Sequence, residues 1–169
     1  MTTAANRPLR VLILCTGNSA RSQMAEAVLN QKGRGRFIAE SAGSQPASRV
    51  NPYAIEALGK AGIDWRGRQP RGVDDLTSRS WDIVITVCDR AREACPFFPG
   101  QPAVAHWGME DPASVEGNDD TKRQAFREAL QLISRRIDLM LALPTEKLER
   151  LALQERVRAI GAEESSPAP

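Results

Sequence analysis

Cys15 and Arg21 stand with five residues between them at the turn from an apolar run, Leu9 to Leu14, into a helical pattern, Ser22 to Asn30. This pairing predicts a loop that binds a tetrahedral oxyanion and attacks it. The amides of Thr16, Gly17, Asn18, Ser19, Ala20 and Arg21 are spaced to curl around one anion, helped by the positive end of the helix that follows. Gly17 offers the turn a residue at ease with positive φ. Arg21 can fork onto two anion oxygens. The same positive field is expected to lower the pKa of Cys15 and hold it as a thiolate. Ser22 is placed to donate a hydrogen bond to that sulfur. A thiolate held this way attacks phosphorus or arsenic. The structural alternative is a buried cysteine at a strand end beside a solvated arginine. The longer string Cys-Thr-Gly-Asn-Ser-x-Arg-Ser-x-Met-Ala-Glu favours the catalytic reading.

Other candidates lie further along. Cys88 and Cys95 bracket a short polar segment that reads as a mobile loop or a short helix. Taken alone, Cys88 is a small core residue and Cys95 an incidental thiol. Beside a reactive Cys15, three thiols can pass a disulfide outward by exchange, and Arg90 and Arg92 favour a thiolate at either cysteine. Asp111, stiffened by Pro112, is a candidate general acid, with Glu110 as its rival and an ordinary turn aspartate as the alternative. His106, the single histidine, reads as a structural hydrogen-bonder beside Trp107.

The elements that must position these residues alternate, strand then helix, as in an α/β protein with a parallel sheet. The predicted strands are Arg10 to Leu14, Phe37 to Ala42, Asp82 to Val87, and Ala103 to Trp107. The predicted helices run from Ser22 to Gln31, from Pro52 to about Ala61, and from a cap at Asp119 or Asp120 through Leu141, with a last one from Pro144-Thr145 to Gly161. Asp64 to Arg71 reads as a loop. The expected organisation is a flexible terminus over 1–8, a catalytic domain over 9–143, a helical extension over 144–161 and a disordered tail over 162–169. Cys15, Cys88 and Asp111 each follow a strand, and open parallel sheets bind ligands at the carboxyl ends of their strands. The three are therefore expected to meet at one sheet edge.

A chain of 169 residues suits one domain. A net charge of +2, with mixed signs along the chain, points to neither a nucleic-acid nor a membrane surface. No apolar run approaches the roughly 20 residues of a membrane span, and Met1 to Arg10 lacks the apolar core of a signal peptide. The expected location is the cytoplasm, where thiols stay reduced. Three cysteines there read as catalytic rather than as a disulfide framework, and the ligand spacing of a metal site is missing.

With these motifs the chain resembles the arsenate reductases built on the low-molecular-weight protein tyrosine phosphatase fold. The resemblance runs from Val11 to about Leu143. It takes in the Cys15 loop with Gln23-Met24-Ala25-Glu26, Ser41-Ala42-Gly43, Asn51-Pro52-x-Ala54-Ile55-Glu56-Ala57, Thr86-Val87-Cys88 with Cys95-Pro96, and His106-Trp107-Gly108 before Asp111-Pro112-Ala113. The segment Leu148 to Ile160 is similar to an extension in a proteobacterial branch of that family. The resemblance implies a four-stranded parallel sheet with helices on both faces, flavodoxin-like, and an activity: Cys15 attacks arsenate, Asp111 protonates the leaving oxygen, and Cys88 resolves the adduct. Cys95 then takes over the disulfide. It further implies that no cofactor is bound and that an external thiol reductant, thioredoxin or glutathione with glutaredoxin, recycles the enzyme. Phosphate and sulfate would compete with arsenate. Some members bind potassium through residues matching Asn18, Glu26 and Ser41, but their acidic residue in the loop after the second helix corresponds to Arg71 here. Ala20 also leaves this loop with one cysteine where many related phosphatases have two.

Two other functions use the same residues. A phosphotyrosine phosphatase would use the Cys15 loop and Asp111, but phosphatases of this fold carry aromatic residues after the Asp-Pro, where Ala113 and Ser114 follow here. A non-enzymatic oxyanion or redox sensor would use the loop once and stop, with Leu148, Leu151, Val157 and Ile160 as a partner-facing stripe; the favoured reading packs that stripe on its own domain.

Overall fold

The computed structural model describes residues 7–145 and 150–164. Its four strands, β1 (Leu9–Cys15), β2 (Phe37–Gly43), β3 (Ile83–Thr86) and β4 (Ala103–His106), form one parallel sheet in the order β2-β1-β3-β4. Val11, Leu12, Ile13 and Leu14 are all buried. Successive strand side chains point to opposite faces, so burial of all four means that both faces of the sheet are covered. The register pairs Cys15 with Gly43, Leu14 with Thr86, and Thr86 with His106. The carboxyl ends therefore finish level. The chain leaves β1 for β2 on one side while β3 flanks β1 on the other, which opens a crevice at the ends of β1 and β3.

Among the described residues five α-helices accompany the sheet: α1 (Arg21–Lys32), α2 (Pro52–Lys60), α3 (Asp89–Glu93), α4 (Asp119–Leu141) and α5 (Arg150–Glu164). α1 packs on β2 and against α4, and it is buried almost all round, from Ser22 to Leu29. α2 starts as its sequence predicts, with Pro52 in the first turn and Asn51 Oδ1 accepting from the Tyr53 amide at 2.9 Å. α4 is capped by Asn118, not by Asp119 or Asp120. Asn118 Oδ1 accepts from the Thr121 amide at 2.9 Å, and the two aspartates sit in the first turn, where they complement the helix dipole. The segment between Cys88 and Cys95, left open between loop and helix, is the short α3.

The chain ends differ from expectation. Arg7 is tied to Asp82 by two bonds of 2.8 Å, so order begins before Leu9; residues 1–6 lie outside the described residues. α5 runs through Gly161 to Glu164 instead of stopping at the glycine. Gly161 has a packing role: a Cβ there would clash with the His106 carbonyl oxygen and lie 2.9 Å from Trp107 Cδ1. The predicted tail from 162 thus begins as helix, and 165–169 lie outside the described residues. Val157 and Ile160 are buried against the domain itself; Leu148 and the side chain of Leu151 fall outside the described residues. α5 lies along β4. The Val104 amide donates to Gln154 Oε1 at 3.1 Å, Arg158 Nε donates to the Val104 carbonyl at 3.0 Å, and Trp107 Nε1 donates to the Val157 carbonyl at 3.0 Å. Among the described residues no helix is long and apolar enough to cross a membrane.

Gly161→Ala should force α5 off β4. We expect a loss of about 1–3 kcal/mol in chemical denaturation, the usual cost of overpacking. An unchanged denaturation midpoint would mean that α5 is not seated on β4 as described.

Candidate active site

The loop from Cys15 to Arg21 is held from outside by its carbonyls. Thr16 O accepts from the Gln45 amide at 2.9 Å, Gly17 O from Ala47 at 2.8 Å, and Ser19 O from Asn51 at 2.8 Å. In a trans peptide the carbonyl and the next N–H point opposite ways. Fixing these three carbonyls outward therefore turns the amides of Gly17, Asn18 and Ala20 inward. α1 follows with no side-chain cap at Ala20, in contrast to the capped α2 and α4, and with no acidic residue in its first turn, in contrast to α4. Its N-terminal amides and dipole face the loop.

The positive-φ residue of the loop is Asn18, at φ 51°, and not Gly17 as the sequence suggested. A buried asparagine accepts this conformation because its side chain is fully bonded. Asn18 Nδ2 donates to Ser22 Oγ at 2.8 Å and to Ser41 Oγ at 2.9 Å; its Oδ1 accepts from Gln23 Nε2 at 3.0 Å and from the Arg71 amide at 2.8 Å. Gln23 Oε1 in turn accepts from Trp65 Nε1 at 2.8 Å. The glycine that the loop does require is Gly43, where a Cβ would clash with the Thr16 carbonyl oxygen.

Arg21 and Asp111 face each other across the mouth of the loop. Arg21 Nη1 donates to the Met109 carbonyl at 2.9 Å, and its Nη2 lies 3.8 Å from Asp111 Oδ2. The other carboxylate oxygen, Asp111 Oδ1, accepts from the Ala113 amide at 2.9 Å and caps a single 3₁₀ turn, Pro112–Ser114. Glu110 is exposed, so Asp111 is the carboxylate turned toward the loop. The segment ahead of it is anchored from α4 by the fully buried Arg136, which donates to the carbonyls of Trp107 at 2.8 Å and Gly108 at 3.1 Å.

Cys88 and Cys15 come together, because β1 and β3 are neighbours and each thiol follows its strand. Cys88 caps α3, accepting from the Ala91 amide at 3.4 Å, and its sulfur lies 3.3 Å from Thr16 Oγ1. All three cysteines are free thiols. Burial pushes Cys15 up to about 11, against the pull of Arg21, with Cys88 adding to the rise and the Thr16 amide easing it. This reverses the expectation of a depressed Cys15: the loop is dry, and Arg21 is already engaged with Met109 and Asp111. Burial also opposes ionisation of Cys88, but hydrogen bonds from Thr16 and Ala91, then the influence of Cys15 and Arg21, outweigh it and lower its pKa. The groups acting on the Cys15 sulfur are thus Arg21, Cys88 and Thr16 rather than Ser22, whose Oγ accepts from Asn18.

Cys95 is not brought to the other two. It lies half-buried beyond α3, its thiol pointing to the Pro96 carbonyl at 3.7 Å, and burial raises its pKa. Seven residues at helical rise put Cys88 and Cys95 roughly 10 Å apart, beyond disulfide reach of about 7 Å between Cα atoms. α3 must unwind before they pair. His106 links the ends of the sheet to α3, with Nδ1 at 2.8 Å from Thr86 Oγ1 and Nε2 at 3.1 Å from Asp89 Oδ1.

The residues matched to a potassium site do not fit one. Asn18 Oδ1 already accepts two hydrogen bonds, Ser41 Oγ donates to Glu26 Oε1 at 2.6 Å, and Arg68 Nη1 lies 3.8 Å from Glu26 Oε2. Burial raises the pKa of Glu26, against the hydrogen bond from Ser41 and the charges of Arg71 and Arg68. The carboxylate's counter-charge is thus supplied by guanidinium groups. Sequence reasoning missed Arg68, Trp65, Thr16 Oγ1 as a partner of Cys88, and Arg136. None has a motif, and each acts through a contact far away in the chain.

The model of the low molecular weight phosphotyrosine protein phosphatase family matches residues 10–154. An arsenate reductase of Halalkalibacterium halodurans is 38% identical over 127 residues, covering 75% of this chain and 91% of that protein. Among solved structures, an arsenate reductase from Archaeoglobus fulgidus superposes with a TM-score of 0.59 at 31% identity, over 76% of this chain and 98% of its own. A thioredoxin-dependent arsenate reductase of Corynebacterium glutamicum superposes with a TM-score of 0.60 at 31% identity, over 80% of this chain and 61% of its own.

Two outcomes are expected from this geometry. A thiol titrates at 9.0 when unperturbed and Cys15 at about 11 in the fold. Between these values the unfolded chain has lost a proton that the folded chain keeps, so the stability contributed below pH 9 falls away as the pH rises toward 11. Cys88 acts in the opposite sense and is spent by pH 9. Urea midpoints from pH 8.5 to 11 should therefore drop less steeply in Cys15→Ser than in the unaltered protein; parallel curves would contradict a late-ionising Cys15. Exchanging sodium for potassium at constant ionic strength should leave the thermal midpoint unchanged, and a potassium-specific rise would show that Glu26 faces a cation after all.

Proposed function

The chain belongs to the low molecular weight phosphotyrosine protein phosphatase family, in its arsenate reductase branch, and from that premise we propose that it reduces arsenate to arsenite through a thiol relay begun by Cys15. The observation that carries this reading is Cys88, a second thiol brought beside Cys15 by the adjacent β1 and β3 and 3.3 Å from Thr16 Oγ1. A phosphatase needs only the first thiol. The second is what a reduction requires.

In the proposed sequence, arsenate enters the loop, where the inward amides and Arg21 take its oxygens. Arg21 exchanges the Met109 carbonyl for the oxyanion. Cys15 yields its proton to the neighbouring Cys88 sulfur and attacks arsenic. The departing oxygen takes a proton from Asp111 and leaves as water, which gives a covalent sulfur–arsenic adduct. Cys88 then attacks Cys15 Sγ. A sulfur–sulfur bond forms, the sulfur–arsenic bond breaks, and its electron pair stays on arsenic, which leaves as arsenite carrying the Cys88 proton. α3 unwinds, Cys95 attacks Cys88, the Cys15–Cys88 bond breaks, and Cys15 departs with the proton that Cys95 gives up. The Cys88–Cys95 disulfide is then reduced from outside, and the likeness to a thioredoxin-dependent reductase supports thioredoxin as a donor. Phosphate and sulfate compete because they present the same tetrahedral oxygens. Weak hydrolysis of aryl phosphates is compatible with the family, since the loop and Asp111 serve both reactions.

The deciding experiment counts thiols in fully reduced protein with and without arsenate and then maps disulfides. Two thiols lost per chain, linked as Cys88–Cys95, are expected; no loss would overturn the reading. Cys88→Ser should stop arsenate reduction while sparing aryl phosphate hydrolysis, and Cys15→Ser should abolish both. Asp111→Asn should slow the first step by about 10²–10⁴, the usual contribution of a general acid; an unchanged rate would move that role to Glu110.

A further inference from the structure

Beside Cys95 lies a cavity of about 540 Å³, walled by Thr86, Arg92, Cys95, His106, Arg158 and Gly161. That volume is within the range of small-molecule sites. The described part of α5 forms one wall, so the cavity depends on the helix that follows the catalytic sheet. Among the described residues its charge is one-sided: two arginines line it and no carboxylate does. Arg92 is exposed, and its side chain makes no hydrogen bond or ion pair among the described residues. Arg158 spends Nε on the Val104 carbonyl, and its two terminal nitrogens have no partner among the described residues. His106 is already committed to Thr86 and Asp89. Two free guanidinium forks and a half-buried thiol thus share one concave wall.

We propose that this cavity binds a small thiol bearing carboxylates, of the glutathione class, with its carboxylates on Arg92 and Arg158 and its sulfur against Cys95. The role assigned to that sulfur rests on the relay described above. A concave site around a half-buried sulfur suits a small molecule better than the broad face of a protein donor, and guanidinium forks match carboxylates in pairs. In the oxidised enzyme α3 is unwound, so Arg158 on α5 holds the small thiolate while it attacks Cys95 Sγ. The Cys88–Cys95 bond breaks, and Cys88 leaves with the electron pair as a thiolate. A second small thiol attacks the mixed disulfide at the small molecule's sulfur and releases Cys95. Two small thiols are oxidised to their disulfide, and their two protons end on Cys88 and Cys95. Such a route recycles the enzyme without a protein donor.

S-methylglutathione, which cannot exchange, should bind fully reduced protein at one site in calorimetry. Arg92→Glu should weaken that binding at least about tenfold, as should Arg158→Ala. The Arg92 side chain has no other partner among the described residues, so circular dichroism of Arg92→Glu should match the parent and keep the comparison interpretable. With a mapped Cys88–Cys95 disulfide, in which α3 is unwound, the reduction rate should saturate in glutathione, and Arg158→Ala, on α5, should raise the half-saturating concentration by a similar factor. Absence of saturable binding, or equal binding by both variants, overturns the site. Displacement by inorganic phosphate at equal concentration also overturns it, by making the cavity a general anion pocket. If arsenate consumes no thiols yet S-methylglutathione still binds, the relay fails and the site stands.

Discussion

The catalytic loop depends on one residue being held in a conformation it would not choose alone. Asn18 sits at φ 51° with its side chain sealed from water, and four hydrogen bonds to Ser22, Ser41, Gln23 and Arg71 hold it there. An L-residue pays about 1–2 kcal/mol for the left-handed region, and each buried hydrogen bond returns about that much. The margin in favour of the turn shrinks with each partner lost, and a buried amide group left unpaired costs about 1–3 kcal/mol more. Those partners come from α1, β2 and the segment after α2. The loop therefore takes its shape only when three separate parts of the chain have packed, which couples a local backbone angle to the whole fold.

The same dryness that keeps this network strong governs the thiols. Cys15 and Cys88 sit where water is scarce, so neither ionises for free, and small differences in hydrogen bonding decide which does. Cys88 has Thr16 and the first amides of α3; Cys15 has an arginine already occupied by Met109 and Asp111. The acidity of the nucleophile is thus a property of the assembled site. Arrival of an oxyanion at Arg21 changes the charges that Cys15 feels and the contact that holds the Asp111 segment, because both pass through one guanidinium group.

Much of this was legible in the chain. The run Val11 to Leu14, buried on both faces, and the alternation of strand and helix patterns lead to a parallel sheet, and the sheet leads to Cys15 and Cys88 meeting. Asn51-Pro52 marked α2 because a cap and a first-turn proline act within a few residues. Failures came where the deciding contact is distant. Gly17 was the natural candidate for positive φ by local propensity, but Asn18 takes it because Ser41 and Arg71 reach in from elsewhere. The acidity of Cys15 was misjudged because a motif displays charge and hides burial. Gly161 resembled a helix stop, and only the proximity of His106 reveals it as a close-packing residue within α5. The position of Cys95, beyond α3, follows from that segment folding as helix, which its polar sequence left undecided.

β4 is the last strand of its sheet, and such a strand ordinarily offers a row of unpaired backbone groups to any other extended chain. Here Gln154 and Arg158, one helical turn apart, take the N–H and C=O of Val104 between them. Two side chains thus imitate the single residue of a neighbouring strand. The sheet is closed to growth by β-addition on that flank without a fifth strand, so a chain shortened before α5 would be exposed to edge-to-edge aggregation there as well as losing a packing partner.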